Sequence, residues 1–197
     1  MQPLLLIAGF GAFEAVERNA SGLVAEALGA APPAGVDISA AVLPVSFRRA
    51  GPAWDALLAR NMDRRPAALL GLGVQKKATF RLEERARGTL GRRGRPDVDG
   101  VDAAELVLRE PELLCTSFDL ERLTTALVDA GARPDEVVIS TSAGGYVCEC
   151  SYYHLLTRAA ELGVPGLFLH LPPGDAVDVE RQTRVVAGLL PALVEPV

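Results

Sequence analysis

One cysteine in this chain stands where a nucleophile is expected. Cys148 follows the segment Ser142-Ala143-Gly144-Gly145-Tyr146-Val147, whose two glycines permit a sharp turn between a predicted strand and a predicted helix. The free amides and the positive dipole end of a helix's first turn favour a thiolate, which is the nucleophilic form of cysteine. The pattern indicates covalent catalysis. The alternative is a small side chain that only packs the helix against the sheet.

A histidine is needed as the base for such a thiol, and the chain contains two. His170 lies in the predicted strand 167–171, and sites in open parallel sheets collect at the carboxyl ends of strands. Because the strand before Cys148 would end at the same edge, we expect Cys148 and His170 to face each other. A histidine that only packs in the core is the alternative interpretation of His170.

The second histidine, His154, is expected to point elsewhere. It follows Cys148 by six residues, and about 100° per residue places it far round the helix axis. Cys150 and His154 are one turn apart and would make half of a metal site, but the sequence offers no second pair of ligands. We therefore predict neither a metal nor a cofactor.

The elements that would position these residues alternate between strand and helix. Short apolar runs predict buried strands, and helical stretches between them favour a largely parallel sheet. Strands are predicted at 4–8, 38–43, 67–72, 137–140 and 167–171, and helices at 21–28, 52–61, 120–130, 146–162 and 179–194. We expect an α/β fold: a single-domain three-layer sandwich over residues 1–197, with a mostly parallel central sheet and helices on both faces.

Composition and charge exclude several classes of function. The 197-residue chain is 49% hydrophobic, which indicates a globular protein, and its net charge of −5 gives no reason to expect nucleic acid or a membrane as partner. The apolar run 4–8 is too short for a signal core or a spanning helix, so we expect a cytoplasmic protein. Three cysteines, an odd number, do not suggest a disulfide framework.

A third group should orient the imidazole and stabilise its charged form, and spacing alone does not choose among the acids. Four motifs supply a candidate by resemblance. In chain order they are Gly9-Phe10-x-x-Phe13, Glu84-Arg85, Ser142-Ala143-Gly144-x-Tyr146-Val147-Cys148 and Phe168-x-His170-x-Pro172. Together they resemble the pyroglutamyl peptidase I family, also called pyrrolidone-carboxylate peptidases.

This resemblance implies a cysteine exopeptidase that removes an N-terminal pyroglutamate from peptides through an acyl-enzyme. It also implies an α/β fold and a homo-oligomer, either a tetramer or a dimer. The implied catalytic triad is Cys148, His170 and Glu84, without a metal. The implied substrate-binding residues are Phe10, Phe13, Val74, Tyr146 and Val147, and the implied oxyanion donors are the amides of Gly144, Gly145 and Cys148.

The chain departs from the family pattern around the expected pocket. Gly11-Ala12 replaces Glu-Pro, Val74 aligns with a glutamine, Lys76 and Lys77 align with glycines, and Glu149 aligns with an asparagine. The charge of Glu149 should raise the pKa of the neighbouring thiol. Two alternatives remain open: another cysteine amidase or peptidase, in which Lys76 or Lys77 selects an acidic substrate, and a non-catalytic binding protein.

Overall fold

The central sheet of the computed structural model contains six strands in the described part of the chain, residues 2–13, 16–89, 95–103 and 110–195. Strands β1 to β4 are Leu4–Phe10, Asp37–Leu43, Ala68–Val74 and Phe80–Glu83, and strands β5 to β8 are Arg85–Arg87, Leu113–Cys115, Val137–Ser140 and Gly166–Leu171. The strand order of the central sheet is β2-β1-β3-β8-β4-β7, and β5 pairs with β6 in a small antiparallel sheet.

The directions of the strands determine which strand ends lie together at the candidate site. Strand β1 is parallel to β2 and β3, and β3 is parallel to β8. Strand β4 is antiparallel to β8, and β7 is parallel to β4, so these two strands are reversed. The register pairs His170 of β8 with Gly73 of β3 on one side and with Arg81 of β4 on the other. The carboxyl ends of β3 and β8 therefore meet the amino end of β4.

Five helices cover the two faces of the sheet in the described residues. They are α1 Ala20–Ala30, α2 Ala50–Ala59, α3 Leu120–Asp129, α4 Val147–Leu162 and α5 Val179–Val194. Trp54 of α2 and Leu155 of α4 share one core with Phe168 of β8. Leu127 of α3 and Leu189 of α5 share the other core with Leu169 of β8 and with α1. The predicted α/β fold, with a mostly parallel sheet and helices on both faces, is confirmed.

One prediction about the sheet is wrong. The segment 137–140 was expected to be a buried strand ending at the same edge as β8, but β7 lies at the border of the sheet and runs antiparallel to β8. Val138 and Ile139 are 41% and 37% exposed. A short apolar run does not distinguish a central strand from a border strand, because both have apolar side chains on at least one face.

The ends of other elements differ from the predictions by a few residues. Strand β1 continues to Phe10, two residues beyond the predicted end, whereas α5 begins and ends as predicted and contains Pro191. The predicted helix 146–162 is α4, and Tyr146 is its N-cap. Within the residues described, no helix combines the length and the apolar character that crossing a membrane requires.

Candidate active site

A cleft of about 290 Å³ lies at the edge where β3 and β8 end. Val74 of β3, His170 of β8 and Cys148 in the first turn of α4 all line it. His170 is 3% exposed, and Cys148 is half-buried. The structure thus brings together the cysteine and the histidine that the sequence indicated. It does so although β7 is reversed, because the segment 141–146 returns the chain to this edge.

The acidic partner of His170 is Glu83 and not Glu84. Nδ1 of His170 lies 2.7 Å from Oε1 of Glu83, whose side chain is fully buried. Since a carboxylate only accepts, the Nδ1 nitrogen carries the proton and Nε2 keeps its lone pair. The side chain of Glu84 is 46% exposed and lies 3.5 Å from Arg85, so the prediction that Glu84 reaches the imidazole is wrong. Strand alternation is the cause: Arg81 and Glu83 share one face of β4, and Glu84 lies beyond the strand's end.

Arg81 is a further member of this cluster that the sequence reasoning missed. Its Nε donates to Oε1 of Glu83 at 2.6 Å, and its Nη2 donates to the carbonyl of Ser142 at 3.4 Å. Nη2 also lies 3.3 Å from Nδ1 of His170. Arg81 therefore links the carboxylate to the segment that leads to the cysteine, and its guanidinium lies beside the imidazole. The alternation of Phe80 and Leu82 with two charged residues was the sequence signal for it.

The surroundings of the two proposed reacting groups oppose their charged forms. Burial, followed by the charges of Glu83 and Glu149, raises the pKa of the Cys148 thiol to about 12, against a smaller lowering by Arg81. Burial lowers the pKa of His170 despite its hydrogen bond to Glu83. Burial thus opposes the thiolate that the helix end is expected to favour, and Glu149 acts on the thiol pKa in the predicted direction. In the described part of the chain no hydrogen bond joins the sulfur of Cys148 to His170, and the predicted contact stays a prediction.

Glu149 also fixes the glycine turn. Its buried carboxylate accepts the N–H of Arg87 at 2.7 Å and the N–H of Gly145 at 3.0 Å. The Gly145 amide is thus engaged and is not free for an oxyanion, contrary to the prediction. Gly144, with a φ of 97° that favours glycine, donates its N–H weakly to Oγ of Ser142 at 3.4 Å. The Cys148 amide lies in the first turn of α4, where no intrahelical acceptor exists.

The predicted substrate-binding side chains do not all reach the cleft. Val74 and Tyr146 line it, but Phe10 is 2% exposed at the end of β1 and Val147 is fully buried, and both belong to the core. The structure does not support the expected direct contact of Phe10 and Val147 with a ligand. The ring of Phe13 packs against that of Tyr146, with centroids 5.7 Å apart, so Phe13 lies behind a residue of the cleft wall.

The cleft is strongly cationic. Four basic residues line it, namely Lys76, Lys77, Arg81 and Arg95, and no Asp or Glu is among the described lining residues. The guanidinium of Arg95 lies 4.6 Å from the centroid of the Tyr146 ring and 5.2 Å from that of Phe13. This stacking is a cation–π contact, and it adds a charged wall to a pocket for which the sequence predicted apolar walls.

Cys150 and His154 have structural contacts outside the cleft. The sulfur of Cys150 lies 3.7 Å from the carbonyl of Phe47 in the core, and Nε2 of His154 lies 2.9 Å from Oδ1 of Asp55. The two side chains therefore do not converge on one point. Among the described residues, no group of His, Cys, Asp and Glu is arranged to hold a metal ion.

Comparison with known proteins finds related sequences and a similar fold. A sequence profile described as pyroglutamyl peptidase matches residues 4–187. A pyrrolidone-carboxylate peptidase of Deinococcus radiodurans is 32% identical over 187 residues, covering 89% of this chain and 80% of the relative. One of Halalkalibacterium halodurans is 29% identical over 188 residues, covering 93% and 90%. The crystal structure of a Thermus thermophilus pyrrolidone carboxyl peptidase superimposes with a TM-score of 0.78 at 31% identity, covering 94% of this chain and 98% of that one.

Proposed function

This chain belongs to the pyroglutamyl peptidase family, and we propose that it is a cysteine exopeptidase that removes N-terminal pyroglutamate from peptides. The observation that carries the proposal is the buried hydrogen bond between Glu83 and His170, at the wall of the cleft that Cys148 also lines. A thiol, an imidazole and an orienting carboxylate are the groups that thiol-dependent amide hydrolysis needs. All three residues lie within the matched range 4–187.

In the proposed reaction, Nε2 of His170 removes the thiol proton of Cys148, and the sulfur attacks the carbonyl carbon of pyroglutamate. The carbonyl electron pair moves to its oxygen in the tetrahedral adduct. When the carbon–nitrogen bond breaks, its electron pair goes to the leaving amine, which receives the proton from His170. Water, activated by the same imidazole, then hydrolyses the thioester, releases pyroglutamate and restores the thiol.

Proton transfer accompanies attack in this scheme and does not precede it. Burial raises the pKa of Cys148 and lowers the pKa of His170, and both shifts favour the neutral form of the group. Charge appears only when the sulfur bonds to carbon and the imidazole becomes an imidazolium. Glu83 then stabilises that imidazolium from Nδ1, and Arg81 positions Glu83 through its 2.6 Å hydrogen bond.

The oxyanion and the lactam ring require different parts of the cleft. We propose the Cys148 amide as the principal oxyanion donor, with Gly144 as a second donor after its weak bond to Ser142 breaks. The lactam would lie against Tyr146 and Val74, in a cleft of about 290 Å³, near the lower limit of the roughly 300–1,000 Å³ typical of small-molecule sites. A single small residue suits such a volume, which supports an exopeptidase.

Three further expectations are part of the same proposal. We infer that the protein is cytoplasmic, that it forms a homo-oligomer, either a tetramer or a dimer, and that residues 1–197 form one domain. Analytical ultracentrifugation measures the oligomer directly. Limited proteolysis with mass analysis of the products tests whether the chain is cut into separately stable parts.

A panel of fluorogenic amides tests the proposed activity. Pyroglutamyl, prolyl, glutamyl and alanyl derivatives of one fluorophore are compared with the wild-type protein and with Cys148→Ala. Release from the pyroglutamyl amide alone, abolished in the variant, is the expected result. Release from another member of the panel would indicate a different cysteine amidase, and folded protein that binds pyroglutamate but releases no fluorophore would indicate a binding protein.

A further inference from the structure

The chain contains only two lysines among its 20 Lys and Arg residues, and both line the candidate active site. Lys76 and Lys77 are exposed on the segment that follows β3. Within the described part of the chain, neither side chain forms an ion pair or a hydrogen bond; the Lys77 contact at 3.2 Å to Gln75 comes from its backbone N–H. Two ammonium groups at one rim therefore remain available for a ligand.

The charge of the cleft is opposite to that of the whole protein. Its lining includes Arg81 and Arg95 as well as the two lysines, whereas the net charge of the chain is −5. Two carboxylates that contact residues of this region have other partners: Glu83 accepts from His170 and Arg81, and Glu149 accepts two backbone N–H groups. The exposed rim, where neither lysine side chain has an acidic partner among the described residues, therefore presents positive charge, which raises the local concentration of anionic ligands.

The exposure of the two lysines, compared with that of Cys148 and His170, indicates which part of a substrate they would contact. An enzyme that removes a single blocked residue encloses that residue, and the rest of the peptide leaves the cleft past its rim. Cys148 is half-buried and His170 is almost fully buried, whereas Lys76 and Lys77 are exposed. In the proposed complex the scissile bond would therefore lie deeper than the lysines, and the leaving peptide would pass beside them.

On the basis of the proposed function, we propose that Lys76 and Lys77 select substrates whose leaving portion carries a carboxylate next to the scissile bond. The carboxylate is an acidic side chain at the residue after pyroglutamate or the C-terminal carboxylate of a dipeptide. An exposed ion pair changes an equilibrium only about 1.5-fold to fivefold. Two such pairs multiply to a preference of about twofold to 25-fold in kcat/KM over a neutral isostere.

Two matched pairs of peptides measure this preference. The first pair is pyroglutamyl-Glu-Ala amide and pyroglutamyl-Gln-Ala amide, which differ in one side-chain charge. The second pair is pyroglutamyl-alanine with a free carboxylate and the same dipeptide as its amide. We expect the charged member of at least one pair to be preferred at low salt. The preference should decrease in about 1 M salt, where the Debye length falls to about 3 Å.

Charge variants test whether the lysines are responsible. In Lys76→Gln/Lys77→Gln the preference should fall below about twofold, whereas Lys76→Arg/Lys77→Arg should keep it. Arg184, which pairs with Glu180 on α5 away from the cleft, gives the control Arg184→Gln, expected to leave the preference unchanged. Circular dichroism checks that each variant is folded.

The outcomes separate this inference from the proposed function. Equal kcat/KM within both pairs, with all four peptides cleaved, overturns the lysine inference and leaves the pyroglutamyl activity intact. A preference that persists in Lys76→Gln/Lys77→Gln also overturns it. If none of the four peptides is cleaved by folded protein, the proposed function itself is wrong.

Discussion

Replacing Glu83 by glutamine removes one charge from the site while keeping the size of the side chain. Oε1 of Glu83 accepts from Nδ1 of His170 at 2.7 Å and from Nε of Arg81 at 2.6 Å, at a fully buried position. A hydrogen bond to a charged group contributes about 1.5–3 kcal/mol. At about 1.36 kcal/mol per factor of ten, Glu83→Gln should lower kcat/KM on a pyroglutamyl amide about 10-fold to 150-fold.

The same variant should react faster with an alkylating agent, although its turnover is slower. The charge of Glu83 helps to raise the pKa of Cys148, and the charge of Arg81 lowers it. Neutralising Glu83 should therefore lower the pKa of Cys148 and accelerate its alkylation by iodoacetamide at constant pH, although turnover falls. A variant that was merely misfolded would expose several cysteines at once, so the rate is followed at Cys148 by peptide mass analysis.

Glu84→Gln is the matched control, because Glu84 is adjacent in sequence and its side chain points towards solvent. It should leave both kcat/KM and the alkylation rate within about twofold of wild type, the usual range for a surface change. The assignment of Glu83 is refuted if Glu84→Gln causes the larger loss of activity, or if Glu83→Gln is nearly as active as wild type.

Three further predictions concern the thiol, the pocket and acid stability. Because burial raises the pKa of Cys148 to about 12, its alkylation in a Cys115→Ser background should rise about tenfold per pH unit through pH 10; a plateau near pH 8 would contradict this. Val74→Gln adds a polar group to the cleft wall and should lower KM severalfold with little change in kcat, and steady-state kinetics showing a change in kcat alone would exclude this role. The hydrogen bond from Arg181 lowers the pKa of Glu136 from 4.5 to about 2. This depressed value stabilises the fold above the unfolded-state pKa, and the stabilisation is lost as the pH falls through this window. Urea titrations should therefore show a flatter acid limb of the free energy of unfolding in Glu136→Gln, and an unchanged limb would contradict the assignment.

The layers of the fold followed from the sequence because hydrophobic pattern and chain order decide them. Mostly apolar runs such as Leu4–Phe10 and Gly166–Leu171 require cover on both faces, and the helices between them supply it. The position of β7 did not follow, because Val137–Ser140 is as apolar as a central strand. Its reversal depends on β4, a four-residue strand that is separated from the three-residue β5 by Glu84 alone.

Those residues of the candidate site that belong to a local sequence motif could be predicted from the sequence. Cys148 and His170 were found from a turn and a strand end, and both line the cleft. The choice between Glu83 and Glu84 depended on the register of one short strand, which the Glu-Arg resemblance did not resolve. The raised pKa of Cys148 and the engagement of the Gly145 amide by Glu149 were beyond reach, because burial and hydrogen bonding are properties of the packed chain.

The proposed base and its carboxylate lie on strands of the central sheet, whereas the proposed nucleophile follows a loop. His170 and Glu83 lie on β8 and β4, and each of these strands has a hydrogen-bonded neighbour on both sides. Cys148 is reached through the segment 141–146, where Gly144 and Gly145 have φ values of 97° and 66°. Amide hydrogens of the strands should therefore exchange with deuterium far more slowly than those of this segment. Local opening of this segment should therefore displace the sulfur relative to the imidazole and the carboxylate before the sheet itself opens.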